Sequence, residues 1–155
     1  MRARKLTLLA VAAILAIFVG TAIAAHRPRP TIEFVSRGRI GHLDASNQGV
    51  KVERVRGSAD HAVAGIRWEP GASIGWHRHP GVVLVTVVSG RLQVVHPDCE
   101  KTVYRAGDSF YEQGGVHLAR NIWDEDTLIY ATWIMPSWKE ALTIPVDAPK
   151  GCPLH

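Results

Sequence analysis

The sequence predicts an all-β sandwich or barrel, and three observations lead to this prediction. After residue 30, short runs rich in β-branched residues recur, separated by Gly, Pro, Asn and Asp. The turn signals are spaced as in an antiparallel β domain. No long segment has the 3.6-residue period of an amphipathic helix. The chain of 155 residues has room for one such domain with one core.

Each predicted strand is a short run of β-branched or alternating apolar residues. In chain order, the predicted strands are Ile32–Val35, Val50–Val55, His61–Trp68, Val82–Val88, Arg91–Val95, Thr102–Tyr104, Ser109–Tyr111, Val116–Ala119 and Thr127–Ile134. A tight turn at Ser89-Gly90 separates two of them. One short helix is predicted at Ser137–Leu142, after Pro136.

The N-terminal segment 1–24 has the pattern of a secretory signal peptide. Basic residues within positions 2–5 precede the apolar, uncharged stretch Leu6–Ala25, and small residues at Ala22 and Ala24 fit a cleavage site after Ala24. The apolar stretch is also just long enough to span a bilayer, so an uncleaved membrane anchor is the alternative. Either way, we expect the globular part to lie outside the cytoplasm. With the signal cleaved the protein would be secreted or periplasmic and without membrane contact, and with the segment retained it would be membrane-anchored.

The net charge argues against a nucleic-acid binder. The chain has 18 Lys and Arg against 14 Asp and Glu, a formal charge of +4. Three of these basic residues, Arg2, Arg4 and Lys5, belong to the predicted signal. Without them the basic count falls to 15 against 14 acidic residues, which leaves +1. A nearly neutral domain lacks the basic surface that binds phosphates, so we expect no nucleic-acid partner.

The mature chain is predicted to consist of a linker at 25–30, a single domain at 31–145 and a tail at 146–155. Prolines in the linker favour extended backbone. The chain's two cysteines are Cys99, in a turn after a strand, and Cys152, in the tail. In an exported protein they are expected to form a disulfide that holds the tail to the domain, with two free thiols as the alternative.

Three histidines have the spacing of metal ligands. His77 and His79 are two residues apart, so on a strand they share one face and can reach the same ion. Continued alternation puts Val83 on that face, which would then be the apolar interior of the domain. His117 would supply a third ligand from a neighbouring strand. The alternative is that the first two histidines lie on the surface near a turn, since an arginine and a proline flank them.

Two stretches resemble the two motifs of the cupin family, Gly71–Gly90 the first and Gly107–Asn121 the second. The matching residues are Gly71, His77, His79, Gly90, Gly107, His117 and Asn121. The resemblance implies a double-stranded β-helix, or jelly-roll barrel, with a metal site inside it. It also implies a small-molecule ligand and a possible homodimer.

The sequence departs from the family pattern at two places. The first motif normally has a glutamate ligand where this chain has Val83, and the proline of the second is replaced by Glu112-Gln113. Three histidines can still hold a divalent metal, whether Fe, Mn, Zn, Ni or Cu. Without the carboxylate, the site would have one more positive charge and favour anionic ligands. The alternative is that the site has lost its metal.

Four further residues are candidates for the pocket: Trp76, Val83, Glu112 and Gln113. Glu112 and Gln113 would either approach the metal or occupy a loop, and we favour the loop. Asn121 is expected to hydrogen-bond to the backbone rather than to a ligand.

Two classes of function remain open from the sequence. In the first, the protein is a metal-dependent oxidoreductase of the cupin type, similar to a dioxygenase, that acts on a small molecule. In the second, the protein is a non-catalytic cupin that binds a small molecule or sugar with a degenerate metal site. The fold alone does not decide between them, because function depends on the site.

Overall fold

The computed structural model describes residues 27–41, 43–52, 57–112, 114–152 and 154, with the backbone alone at 34 and 35. The predicted signal segment therefore lies outside the described residues. Within the described ranges, no helix is long and apolar enough to cross a membrane.

The described chain forms strands and no helices, which confirms the predicted all-β class. The strands are β1 (Thr31–Arg39), β2 (Ala45–Asn47), β3 (Val50–Val52), β4 (Ala59–Trp68), β5 (Ser73–Arg78), β6 (Val82–Ser89), β7 (Arg91–Val95), β8 (Lys101–Arg105), β9 (Ser109–Glu112), β10 (His117–Arg120), β11 (Thr127–Pro136) and β12 (Ile144–Pro145).

Two five-stranded antiparallel sheets contain most of these strands. The first sheet has the order β1-β4-β11-β6-β9, and the second has the order β12-β5-β10-β7-β8. The two short strands β2 and β3 form a separate hairpin. The main core combines residues of both sheets, such as Val85 of the first and Leu92 of the second. It therefore lies between the sheets, as in a jelly roll.

The turn between β6 and β7 carries the chain from the first sheet to the second. Its Gly90 has a φ of +73°, a conformation that favours glycine. A Cβ at this position would lie 2.5 Å from the carbonyl oxygen of Asp126. Only a residue without a side chain fits here, so the glycine that closes the first motif is required by the fold.

The predicted helix at Ser137–Leu142 is wrong, because this segment contains only a turn. Lys139 N donates a hydrogen bond to Pro136 O at 3.0 Å, but no helix follows. The next carbonyls are used elsewhere, since Arg37 donates to Lys139 O at 2.6 Å and to Glu140 O at 2.9 Å. These tertiary contacts hold the segment in an irregular path across the end of the domain.

The C-terminal tail covers the outer face of the second sheet. Trp76 and Leu118 point to that face and form a second apolar cluster with Cys152, which is fully buried. The predicted disulfide between Cys99 and Cys152 is confirmed, with a Cα–Cα distance of 5.3 Å. Such a bond is typical of an oxidising compartment. The Trp76 indole also donates a hydrogen bond to Leu154 O at 2.6 Å.

Candidate metal centre

The structure brings the three predicted histidines together inside the domain. His77 on β5 and His117 on β10 are direct partners across the antiparallel pair, so they face the same side. His79 follows the end of β5. All three are buried, and their ligand atoms lie within 4.8 Å of one another. The alternative of surface histidines beside a turn is therefore wrong.

Val83 lies on the interior face, as the alternation predicted, but on the opposite sheet from His77. β5 ends at Arg78, and the chain crosses to the other sheet before β6 begins at Val82. Val83 therefore does not face the interior as part of the same strand as His77. Val83 and the histidines meet because the inner faces of the two sheets pack against each other. The valine lines the wall of the interior cavity.

His77 and His117 are oriented by the same local contact. His77 Nδ1 donates to Gly75 O at 2.8 Å, and His117 Nδ1 donates to Gly115 O at 2.9 Å. Since a carbonyl can only accept, the proton must be on Nδ1, which leaves Nε2 free to bind a metal. The sequence signal for this arrangement is a Gly-x-His tripeptide that occurs in both motifs.

His79 is oriented by a distant part of the chain. Its Nδ1 lies 2.6 Å from Leu142 O and 3.4 Å from the indole nitrogen of Trp133. The two contacts require opposite tautomers, because the carbonyl accepts a proton and the indole donates one. The shorter contact decides in favour of a proton on Nδ1, so the Nε2 of His79 also points its lone pair into the site.

Glu112 lies beside two of the clustered histidines, and the expectation that it occupies a loop is wrong. It is the last residue of β9 and the direct partner of Val83 on β6. Its carboxylate oxygens lie 3.0 Å from His79 Nε2 and 3.0 Å from His117 Nε2. A carboxylate therefore reaches two of the histidines from the strand that pairs with Val83. The expected extra positive charge of the site is accordingly not present.

Of the other candidate residues, Trp76 does not reach the pocket, because it lies in the cluster under the tail. Gln113 lies outside the described residues. Asn121 behaves as predicted, since its buried amide donates to Trp68 O at 2.9 Å and to Glu125 O at 2.7 Å. It thus fixes the turn that follows β10.

The charges of the site are set by burial and by the carboxylate. Burial, reinforced by the neighbouring His117, lowers the pKa of His77 to about 4. Burial alone would raise the pKa of Glu112, but contacts with His117 and His79 outweigh it and hold the pKa at about 2. Burial also opposes protonation of His117, yet the adjacent Glu112 raises its pKa above the usual value. At neutral pH the site therefore contains one carboxylate and a neutral His77.

Two cavities meet at the site. An apolar interior cavity of about 50 Å³ contacts His77, His79 and Glu112. An open cleft of about 540 Å³ contacts His117 and Glu112 from the other side. A stacked aromatic pair, Tyr104 and Phe110, lines the cleft with ring centroids 3.9 Å apart. The cleft has the size of a small-molecule site, and the interior cavity does not.

Comparisons with known proteins agree with this architecture. The family model for the cupin domain matches residues 66–134, which include all three histidines and Glu112. The match and the shared fold support the cupin superfamily. No curated protein matches the sequence.

Solved cupin structures share the fold at low sequence identity. A cupin domain from Bordetella pertussis has a TM-score of 0.51 at 20% identity, covering 71% of this chain and 97% of its own. An uncharacterized protein with a double-stranded β-helix domain from Klebsiella pneumoniae has a TM-score of 0.50 at 22% identity. That match covers 76% of this chain and 86% of the other. At these identities the likeness establishes the fold and leaves the chemistry to the site.

Proposed function

We propose that this cupin is an exported metalloenzyme that binds one divalent metal through His77, His79 and His117 and acts on a small molecule in the adjacent cleft. The observation that carries the proposal is that all three imidazoles donate from Nδ1 to a backbone carbonyl. This leaves three Nε2 lone pairs within one buried cluster. Metal-binding histidines in proteins commonly have such a second hydrogen bond.

The donor set fits a divalent transition metal. Imidazole nitrogens suit Fe, Mn, Ni, Cu and Zn. Without a metal, buried Nε2 atoms that lack a hydrogen-bond partner would reduce the stability of the fold. His117 Nε2 in particular is buried with no hydrogen-bond partner, although it lies near Glu112. A bound ion would satisfy it. When bound, such an ion acts as a Lewis acid or, if redox-active, activates dioxygen.

The protein's own residues define where the small molecule would bind. The cleft reaches the metal centre at the edge formed by His117 and Glu112. The Tyr104–Phe110 stack gives it an aromatic wall, which would hold an apolar or planar part of the ligand. The apolar interior behind the site excludes water from His77 and His79. The negative charge of Glu112 also makes the cleft less favourable for anionic ligands than a site with three histidines and no carboxylate would be.

A non-catalytic function remains the second candidate, because the cleft itself has the volume of a binding site. In that case the protein would bind a small molecule or sugar whether or not metal is present. The two functions differ in whether binding and turnover require the metal.

Metal analysis of the protein purified without chelators or a histidine tag tests the proposal. We expect about one equivalent of a divalent metal in the wild type and none in the His77→Ala/His79→Ala/His117→Ala variant. Oxygen uptake with a panel of small acids, thiols and diketones would then separate the two functions. Equal metal content in the triple variant would refute the proposal, and metal-independent ligand binding without turnover would favour the second candidate.

Export is the remaining part of the proposal, and the disulfide supports it. Mass spectrometry of the exported protein would give its N-terminus. A mature chain that begins after Ala24 is expected, and an intact Met1 would favour a retained membrane anchor.

A further inference from the structure

We propose that Glu112 is the fourth protein ligand of the metal, and that it replaces, from the adjacent strand, the carboxylate that the first motif lacks at Val83. This inference rests on the proposed metal-binding function and deepens it. Neither the cupin motif nor the three-histidine cluster assigns a ligand to position 112.

The register of the sheet explains how a glutamate on either of two neighbouring strands can reach the histidines. Val83 and Glu112 are direct partners in the antiparallel pair of β6 and β9. Side chains that are directly opposite point to the same face, with Cβ atoms about 5 Å apart. Both residues line the interior cavity. A glutamate on either strand can therefore place its carboxylate in the same space beside the histidines.

Two distances from Glu112 to the histidines are compatible with ligands around one ion. Two donors bound at about 2.1 Å and at right angles to each other would lie about 3.0 Å apart. Glu112 Oε2 is 3.0 Å from His79 Nε2, and Glu112 Oε1 is 3.0 Å from His117 Nε2. The carboxylate thus lies at ligand distance from two imidazoles at once.

The competing explanation is a metal-free salt bridge between Glu112 and two charged histidines. It requires a proton on both Nε2 atoms, since each Nδ1 proton is already donated to a carbonyl. It also requires those protons to point at the carboxylate. His117 Nε2 has no hydrogen-bond partner despite its 3.0 Å contact with Glu112. A nitrogen and an oxygen that are close but not aligned for a hydrogen bond fit two ligands of one ion that lies to one side of both.

An oxygen ligand also changes which metal the site prefers. Three imidazoles alone do not discriminate strongly among the later transition metals, whereas a carboxylate favours harder ions such as Mn²⁺. Loss of Glu112 should therefore weaken the binding of Mn²⁺ more than that of Zn²⁺. A purely structural role of Glu112 would affect both metals equally.

The first test measures Mn²⁺ and Zn²⁺ binding to the metal-free, disulfide-bonded protein by calorimetry, for the wild type and Glu112→Gln. We expect Mn²⁺ affinity to fall about 100-fold and Zn²⁺ affinity to fall less. Glu125→Gln is the matched control, since its side chain is exposed on the far turn, and its affinities should equal those of the wild type. An unchanged or increased affinity in Glu112→Gln overturns the inference, and an increase would indicate the salt bridge.

The second test moves the carboxylate between the two partner positions. Glu112→Val should lose Mn²⁺ binding, and Val83→Glu/Glu112→Val should recover it to within about tenfold of the wild type. Far-ultraviolet circular dichroism of each variant separates lost folding from lost binding. If both Glu112 variants bind Mn²⁺ like the wild type, this inference fails and the three-histidine function stands. If the wild type binds neither metal, the proposed function itself fails.

Discussion

The two halves of the metal centre are built in different ways. His77 and His117 are direct partners on β5 and β10, and each is oriented by the carbonyl of a glycine two residues earlier. His79 and Glu112 depend on distant contacts, His79 on Leu142 O and Glu112 on the pairing of β9 with β6. The orientation of the first two histidines is thus determined locally, by a Gly-x-His tripeptide in each strand region. The second half exists only after the two sheets have come together.

This difference determines what supports each half. On the outer face of the strands that carry His77 and His117, Trp76 and Leu118 pack under the disulfide-bonded tail. His79 is instead held by the segment 137–142, which Arg37 fixes with Asp60 as its ion-pair partner. Damage to the tail should therefore reduce stability, whereas damage to the Arg37 contacts should reduce metal binding.

The largest expected effect is on stability. Cys99→Ser/Cys152→Ser releases the tail from the outer face of the local half. Chain-entropy estimates for a loop of this size give a loss of about 4 kcal/mol in the free energy of unfolding. Metal affinity should change less than about threefold, because the contacts that orient His77 and His117 do not involve the tail. Urea unfolding and metal titration of the same variant measure the two effects, and a parallel loss of affinity would contradict the separation.

The second effect is a pH dependence of the metal-free protein that arises from His77. The pKa of His77 is about 4 in the folded protein, against an ordinary value of 6.5 for histidine in an unfolded chain. The contribution of neutral His77 to the free energy of unfolding is therefore fully present above pH 6.5. It is lost as the pH falls towards 4, by about 3 kcal/mol. His117 acts in the opposite direction, because its raised pKa stabilises the fold below pH 6.5 and this contribution is lost as the pH rises.

The pH effect can be assigned by comparing variants. In His77→Gln, unfolding free energies measured between pH 4 and 7 should lack the loss assigned to His77 and so decline less than in the wild type. In His117→Gln, the gain in stability as the pH falls to 6.5 should disappear, and the decline below pH 6.5 should become shallower because His117 no longer lowers the pKa of His77. Glu112, with a pKa of about 2, contributes stability that is lost only as the pH falls below about 4.5. Identical slopes in all proteins would show that these groups do not control the stability.

The third effect concerns the donors of the local half. His117→Ala removes a ligand and should weaken metal binding by about 100-fold, or about 2.7 kcal/mol. Its fold should persist, because Leu118 on the other face of β10 keeps its packing under the tail. His96→Ala is a suitable control, since His96 lines the same cleft and lies outside the histidine cluster. Comparable metal affinity in both variants would remove His117 from the ligand set.

The smallest effect should come from the support of the distant half. Arg37→Ala frees the segment that presents Leu142 O to His79, so we expect metal affinity to fall about tenfold, the lower range for outer-shell contacts. Arg67→Ala is the matched control, because Arg67 forms an exposed ion pair with Asp126 at 3.7 Å. Equal affinities in the two variants would show that Arg37 does not position His79.

Much of the fold could be predicted from the sequence, because local patterns encode most of its strands. The run Val82–Val88 and the alternation of Thr127–Ile134 correspond to β6 and β11. The prediction missed β5, whose glycine and histidines have low strand propensity, and it failed at Ser137–Leu142, where Arg37 holds the backbone out of a helix. At Ser137–Leu142 a tertiary contact overrides local preference.

The three histidines and the ring orientation of His77 and His117 could be predicted from the sequence alone. His-x-His and two Gly-x-His tripeptides encode ligand spacing and ring orientation within a few residues, and the two cysteines encode the disulfide. The positions of Glu112 and Trp76 became visible only in the folded protein. The reason is that alternation fixes which residues share a face, but not which face is covered or which strand lies alongside. The carboxylate missing from Val83 was therefore visible only once β9 paired with β6.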